Sequence, residues 1–370
     1  MSTNLFSDFD PASKNDWLER VAKELKGRPM EELHWAIDQG IEMPPFVHRE
    51  DASTAGQSAI GARRRNNDWH IGEQFEAVEG EKAVNTLLIT ALQKGVEAPL
   101  IRFASALSDW DWSVALHGVM PQMIFLNLDL RDMPKEAASN VLEGFVQWLA
   151  TLQVDKASLK GAIATSSTEV STLAFQQLPA FDLYAVVESS LSEEAQGPVA
   201  AMVELLEAAM SLLDEWTVQG VDLAAHSSKL YFKIGIGTSY FVEIAKIRAF
   251  HLLWANVLSA YGLTPTHATV EAHLSDASQT EEKHDNMIRA TTQALSAAIG
   301  GISRLYIAPA NASFETPTAF TRRVARNLQH VLKMESFLDR VVDPAAGSYY
   351  IEQMTQKLAR AVWERLGESR

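Results

Sequence analysis

The sequence predicts an α/β fold, a (β/α)8 TIM barrel with an N-terminal helical arm. From Trp69 onward, short apolar runs rich in β-branched and aromatic residues alternate with helical patterns. Such alternation implies parallel strands joined by right-handed helical crossovers. The candidate strands extend over about 250 residues, which is the usual size of such a barrel.

The clearest βα unit lies between Lys229 and Gly262. Residues 230–236 form an apolar, β-branched and aromatic run, and the apolar residues after it recur at helical spacing. The glycines at 235 and 237 could suggest a dinucleotide-binding turn, but Tyr240 stands where the third glycine of that motif belongs. We therefore interpret the glycines as a tight turn between strand and helix.

Seven further strands and three long helices complete the predicted barrel. The other predicted strands are 98–104, 123–129, 158–164, 182–188, 266–274, 304–309 and a short one near Val341, and the helices include 135–152, 197–219 and 280–299. An open doubly wound sheet is the alternative, but it requires a phosphate-binding glycine turn after its first strand. Residues 103–106 contain no glycine, which favours the barrel.

The chain divides into three predicted parts: an arm at 1–46, a linker at 47–67 and the barrel at 68–370. The arm contains a helical pattern around Trp17 and a second short helix around Leu33, and it is too small for its own core. Its apolar residues must therefore pack on the barrel or on another subunit. The residues expected at a subunit contact are Phe6, Phe9, Trp17 and Leu18.

Composition excludes several classes of function. The formal net charge of -15 argues against nucleic-acid or anionic-membrane partners, which require basic patches. With no cysteine, the chain has no disulfide, thiolate zinc site or cysteine nucleophile. The N-terminus lacks a signal-peptide pattern and no apolar run reaches membrane-spanning length, so we expect a cytoplasmic protein.

Two groups of residues could carry chemistry without reference to any family. His267, Glu271 and His273 share one face of a predicted strand, but the two histidines would lie about 20 Å apart, too far for one metal ion. Glu271 with His273 remains open as a pair, although we expect no metal site. The loop of Asp109, Trp110, Asp111 and Trp112 follows the first predicted strand on the face where barrel active sites lie, and we favour a helix cap with aromatic packing there.

Three separated motifs resemble methylmalonyl-CoA mutases. They are residues 325–329 (ARNLQ), 342–344 with 347–352 (VDP, GSYYIE) and 241–248 (FVEIAKIR), and the arm agrees at Trp17, 25–27, 33–35 and 40–45. The resemblance implies the barrel of adenosylcobalamin-dependent acyl-CoA mutases, which interconvert methylmalonyl-CoA and succinyl-CoA by a radical 1,2-shift. In that family CoA passes along the barrel axis and cobalamin is bound by a separate C-terminal domain.

The residues that carry the family's chemistry are mostly replaced. Where active members have a Ser-Gly-Tyr-His strand end with a catalytic histidine, this chain has Leu183 to Glu188. The substrate tyrosine has no counterpart between Val47 and Trp69, and Ala308 and Ala312 stand near the family's adenosyl-facing residues. His273 alone is retained, as a weak substrate-binding candidate. The cobalamin-domain signature Asp-x-His-x-x-Gly is also missing, and residues 68–72 only approximate it.

These departures match the small (beta) subunit of heterodimeric members. We therefore expect a non-catalytic chain, with no catalytic residue, metal or cofactor of its own, that stabilises a catalytic (alpha) subunit carrying adenosylcobalamin, or forms a homodimer without it. The alternative is a divergent, self-sufficient acyl-CoA mutase that works with a separate cobalamin-binding protein. For the small subunit we expect a barrel axis filled by bulky side chains: Phe125, Leu126, Leu183, Tyr184, Tyr231 and Phe232.

Overall fold

The computed structural model describes residues 13–51, 66–105, 107, 109–189 and 197–368. The strands are β1 Trp35–Asp38, β2 Ile41–Met43, β3 His70–Glu76, β4 Ala98–Arg102, β5 Phe125–Asp129, β6 Lys160–Ala164, β7 Phe181–Asp182, β8 Tyr184–Val187, β9 Leu230–Ile236, β10 Thr269–Leu274 and β11 Arg304–Tyr306. The α-helices are α1 Lys14–Leu25, α2 Glu81–Leu92, α3 Trp112–Ala115, α4 Lys135–Thr151, α5 Thr168–Gln177, α6 Pro198–Gln219, α7 Leu223–Ser227, α8 Tyr240–Ala260, α9 Lys283–Gly300, α10 Ala319–His330 and α11 Tyr349–Glu368.

The strands β3 to β11 form one parallel sheet that closes on itself. Their order is β7-β6-β5-β4-β3-β11-β10-β9-β8. The two ends of this order are consecutive in the chain, because only Leu183 separates β7 from β8. The amide of Leu183 donates a hydrogen bond of 2.8 Å to the carbonyl of Lys229, the residue just before β9. With β7 and β8 as one interrupted strand, the sheet has eight positions, and the predicted (β/α)8 barrel is confirmed.

The predicted strand near Val341 is wrong, and the missing eighth strand is β3. Residues around Val341 form bends and turns, whereas β3 pairs with β11 on one side and β4 on the other. Polar residues interrupt the apolar pattern of β3. One of them, Glu73, is buried in the fold because it pairs with Arg326 of α10 at 2.6 Å. Gly72 is also required in this strand, since a Cβ atom there would lie 2.6 Å from the Tyr306 ring.

The arm packs on its own barrel through the hairpin of β1 and β2, which the sequence pattern did not predict. Ile37 and Met43 are buried in the apolar layer beneath the hairpin. Asp38 accepts a hydrogen bond from the amide of Val199 at 2.7 Å and so caps the start of α6. The second short helix predicted around Leu33 is a 3₁₀ helix, Met30–Leu33.

The first helix of the arm is less enclosed than the hairpin. Trp17 and Leu18 are half-buried, and the Trp17 ring lies 5.1 Å from that of Phe46, which is 48% exposed. Phe6 and Phe9 lie outside the described residues. Within the described ranges, no helix has the length and apolar character needed to cross a bilayer.

Candidate functional site in the barrel lumen

The lumen of the barrel contains a continuous chain of ion pairs. Lys233 Nζ lies 3.0 Å from Asp129 Oδ2 and 3.1 Å from Glu271 Oε1. Arg304 continues the chain, with Nε 3.1 Å from Glu271 Oε2 and Nη1 2.7 Å from Asp182 Oδ2. Lys233, Glu271 and Arg304 occupy one level of the sheet, because Glu271 is in register with both of the others.

These contacts cross the lumen from one side of the barrel to the other. Asp129 lies on β5 and Lys233 on β9, which are not neighbours in the sheet, and the same holds for Asp182 on β7 and Arg304 on β11. A further bond, from Asn127 Nδ2 to Tyr306 Oη at 2.7 Å, joins β5 to β11. Side chains therefore occupy the axis itself.

Aromatic rings pack around the charges. The Arg304 guanidinium lies 4.8 Å from the Phe125 ring and 4.9 Å from the Tyr231 ring. Such contacts favour a cation where water is excluded. Of the six side chains expected to fill the axis, Phe125 and Tyr231 thus lie in the lumen.

For the other four axis-filling residues the prediction is wrong. Leu126, Leu183 and Phe232 belong to the apolar layers between sheet and helices, and Tyr184 packs on Trp216 with ring centroids 4.6 Å apart. For Leu126 and Phe232 the reason is strand parity: successive side chains point to opposite faces, so the neighbours of Phe125 and Tyr231 point outward. Leu183 lies in the break between β7 and β8, where the alternation is interrupted before Tyr184.

The lumen charges missed by the sequence argument are Asp129, Asp182, Lys233 and Arg304. Lys233 and Tyr231 are two residues apart on β9, and Asp129 has the same parity as Phe125 on β5. A charged residue in the centre of an apolar strand was the available signal. Its partners lie on strands distant in sequence, so the pairing itself was not visible.

Pairing lowers the pKa of two lumen carboxyl groups, Asp129 and Glu271, whereas at Asp182 burial outweighs Arg304 and raises the pKa. Burial raises the pKa of Asp129, but Lys233 and Arg131 outweigh burial and hold that pKa well below its usual range. The same balance acts at Glu271, where Lys233, His273 and Arg304 lower the pKa against the effect of burial. Burial lowers the pKa of Arg304, but Asp182 and Glu271 raise it above its usual value.

His273, the retained candidate for substrate binding, is part of this network. Its Nε2 atom lies 2.8 Å from Glu271 Oε1, and its ring stacks on that of Tyr306 with centroids 4.9 Å apart. Its side chain is only 17% exposed. The imidazole therefore already has a carboxylate and an aromatic partner inside the lumen.

The same contacts bear on the possible pairing of Glu271 with His273 at a metal ion. Both Glu271 oxygens bind cationic side chains, and the ring of His267 lies instead against His251, with centroids 4.8 Å apart. Within the described ranges, no group of three or more histidine or carboxylate side chains is placed to hold a metal ion.

The acidic and aromatic loop after β4 is a helix cap with aromatic packing. Asp111 Oδ1 accepts from the amide of Ser113 at 2.9 Å at the start of α3. Trp110 and Trp112 are buried and both pack on Phe103, with ring centroids 5.2 and 5.9 Å away.

Two of the three family motifs, residues 241–248 and residues 342–344 with 347–352, meet in a buried cluster of ion pairs outside the lumen. Arg248 Nη2 of α8 lies 2.8 Å from Asp343 Oδ2 and 2.7 Å from Glu352 Oε1. The third motif packs on β3, where Arg326 binds Glu73 and Gln329 donates to the carbonyl of Gly72 at 3.0 Å. In this structure these motif residues fasten helices to the barrel, and none of them faces the lumen.

The residues expected, from the resemblance, at the family's catalytic positions include an apolar valine, a hydrogen-bonded carboxylate and an alanine. Val186 lies in the outer apolar layer, and Glu188 accepts a hydrogen bond from the amide of Gly235 at 3.0 Å. Ala308, just beyond β11, is exposed but has no polar side-chain group to offer a ligand.

Two surface clefts, of about 400 and 340 Å³, lie along α11 on the outside of the barrel.

Comparison with known proteins agrees with the motifs. The family model of methylmalonyl-CoA mutase matches residues 156–369. The methylmalonyl-CoA mutase small subunit of Porphyromonas gingivalis is 27% identical over 97% of this chain and 63% of its own length. That of Streptomyces virginiae is 26% identical, over 98% and 64%. A methylmalonyl-CoA mutase of Cereibacter sphaeroides is 24% identical, over 95% and 57%.

The chain spans about three fifths of the length of these relatives. Among solved structures, a dihydropteroate synthase from Xanthomonas albilineans superposes with a TM-score of 0.40 and 13% identity, over 72% of this chain and 93% of that one. Since the family model covers more than half of the sequence and relatives named as small subunits match nearly all of it, the chain belongs to the methylmalonyl-CoA mutase family.

Proposed function

We propose that this chain is the barrel part of a non-catalytic small subunit of an adenosylcobalamin-dependent methylmalonyl-CoA mutase, which interconverts methylmalonyl-CoA and succinyl-CoA. In the complex it stabilises a catalytic partner. The observation that carries the proposal is the occupied lumen. An acyl-CoA threaded along the axis would have to break the contacts that Lys233 and Arg304 make across it.

Breaking those contacts would be costly. Lys233, Glu271 and Arg304 are each almost fully buried, with side chains 1–2% exposed. A buried charge that loses its partner destabilises a protein by about 3–5 kcal/mol. A pantetheine chain has amide and hydroxyl groups but no charge with which to replace either partner, so the closed network is favoured over the threaded state.

The residues at the mouth of the barrel do not fit an adenosyl group or a cobalt ion. His273 is already held by Glu271 at 2.8 Å, and Ala308 and Ala312 have no side-chain hydrogen-bonding group. We therefore propose that adenosylcobalamin belongs to the catalytic partner, that this chain contributes no group to the reaction, and that the complex is cytoplasmic.

Calorimetric titration of the purified chain with succinyl-CoA tests the occupied lumen. We expect no saturable heat up to millimolar ligand, because the side chains of Lys233, Arg304 and Asn127 make contacts across the axis. The control is the same titration of the catalytic partner, which should bind. Micromolar binding to this chain alone would overturn the proposal and would favour the divergent mutase.

We further propose that the arm supplies the subunit contact. Trp17 and Leu18 remain half-buried on α1, and Phe46 beside them is exposed. Exposed apolar residues grouped in this way are typical of interaction surfaces. Phe6 and Phe9, outside the described residues, are proposed to extend the same contact.

Removing residues 1–34 is expected to weaken subunit pairing at least tenfold while leaving the barrel folded. The deletion retains the hairpin of β1 and β2, whose Asp38 caps α6. Sedimentation velocity of the deletion variant mixed with the catalytic partner measures the effect. The control is Val218→Ala, which truncates an 89% exposed apolar side chain far from the arm in sequence. Unchanged sedimentation of the deletion mixture would contradict the arm's role.

A further inference from the structure

The outer apolar layer of the barrel falls into two large clusters, one for each half of the chain's strands. One cluster contains residues between Phe75 and Leu183, on β3 to β7 and their helices. The other contains residues between Val186 and Leu366, on β8 to β11 and their helices, together with Trp69 and the hairpin of the arm. Each half-barrel therefore has an apolar core of its own.

The seam between β3 and β11 has little backbone pairing. Only three residue pairs form there, His70 with Arg304 and the two that follow, whereas β9 and β10 share six. At the other junction the chain passes from β7 to β8 through Leu183. Inside the halves, β10 with β11 and β4 with β5 also form only three pairs each, so the β3–β11 seam is distinguished by its place between the two apolar clusters and not by the length of its ladder.

Each hydrogen-bonded contact across the lumen joins one half to the other. Asp129 to Lys233, Asp182 to Arg304 and Asn127 to Tyr306 all connect a strand of β3 to β7 with a strand of β8 to β11. The Tyr306 ring adds apolar contact with Ala98 and Leu100 of β4. Outside the lumen, α10 and the turn after it add further polar links between the halves, from Arg326 to Glu73, from Gln329 to the carbonyl of Gly72 and from Lys333 to Glu97.

We propose that the lumen network is a clamp that holds two half-barrels together and makes the barrel one rigid, cooperative unit. Charge-assisted hydrogen bonds in a dry lumen are strong, and breaking one leaves its partner buried and unpaired. When the clamp is intact, the short β3–β11 seam opens only with the whole fold. When it is weakened, the seam opens first and the core of each half persists. This inference goes beyond the proposed function and does not depend on any acyl-CoA.

Hydrogen–deuterium exchange of the full chain, with no ligand or partner present, tests the clamp. In the unmodified chain, the amides of β11 should exchange as slowly as those of β4 and β10. In Asp182→Asn, which removes the carboxylate that pairs with Arg304 from the other half, the amides of β11 and of residues 181–187 should exchange at least tenfold faster while those of β4 and β10 stay protected. Fast exchange of β11 in the unmodified chain would overturn the proposal.

A matched control and a second variant keep the test decisive. Asp132→Asn breaks an ion pair with Arg102 that joins β4 to the turn after β5 within one half, and it should change the exchange of the β11 amides less than twofold. Asn127→Ala removes the contact to Tyr306 without removing a charge, and it should speed exchange at the seam even if Asp182→Asn does not fold. No effect of Asn127→Ala, or equal acceleration at β4 and β10, would reject the clamp. Either result leaves the proposed subunit role untouched.

Discussion

Replacing Lys233 by methionine is expected to lower the free energy of unfolding by about 3–5 kcal/mol, a large part of the stability of a typical domain. Methionine nearly preserves the volume of lysine, so the loss is electrostatic. Asp129 and Glu271 would each lose a cation within about 3 Å in a nearly dry lumen. Urea unfolding followed by circular dichroism measures the change.

The control for this experiment is Lys135→Met. Lys135 pairs with Glu169, but both side chains are more than half exposed, so the change should cost less than about 1 kcal/mol. A Lys233→Met variant within about 1 kcal/mol of the unmodified chain would mean that the lumen charges do not depend on Lys233, and the buried network as described would be wrong.

The purified chain, given adenosylcobalamin and methylmalonyl-CoA, is expected to form no succinyl-CoA. By the resemblance, Val186 and Val187 are expected where active members have the catalytic histidine, and neither side chain can hold a carbonyl by hydrogen bonding. Ala308 and Ala312 offer no polar contact to an adenosyl group. Each absent group that would stabilise a transition state costs about 3–4 kcal/mol, so their joint loss should remove measurable turnover.

Addition of a separate cobalamin-binding domain should not restore this activity. The assay follows succinyl-CoA by chromatography, and the positive control adds the catalytic subunit to the same mixture. Turnover with the separate domain and no catalytic subunit would contradict the non-catalytic assignment. It would support a divergent mutase in which His273 acts on the substrate.

Much of the fold was predictable because its signals are local. The strand Leu230–Ile236 was predicted with its observed bounds. An apolar run between polar and glycine residues can be recognised from adjacent residues in the sequence, without knowledge of distant contacts. The helices α4, α6 and α9 begin and end within a few residues of their predicted limits. The motif at 241–248 led to the right family, although the structure gives its Arg248 a role in fastening α11.

Errors arose where polar residues have distant partners. Strand β3 was missed because Gly72 and Glu73 interrupt its apolar pattern, and the reasons for both residues lie more than 230 positions away, at Tyr306 and Arg326. The strand predicted near Val341 brought the count to eight without β3, but residues there form bends and turns.

The sequence by itself determined the alternation of strands and helices and the family, since both can be recognised from short runs of consecutive residues. Only the tertiary structure decided what fills the lumen. The parity of each strand sends Phe125 and Tyr231 inward and Leu126 and Phe232 outward, and closure of the sheet brings Asp129 to Lys233 and Asp182 to Arg304. A buried charge is stable only beside its partner, and here that partner is supplied by the opposite wall of the barrel.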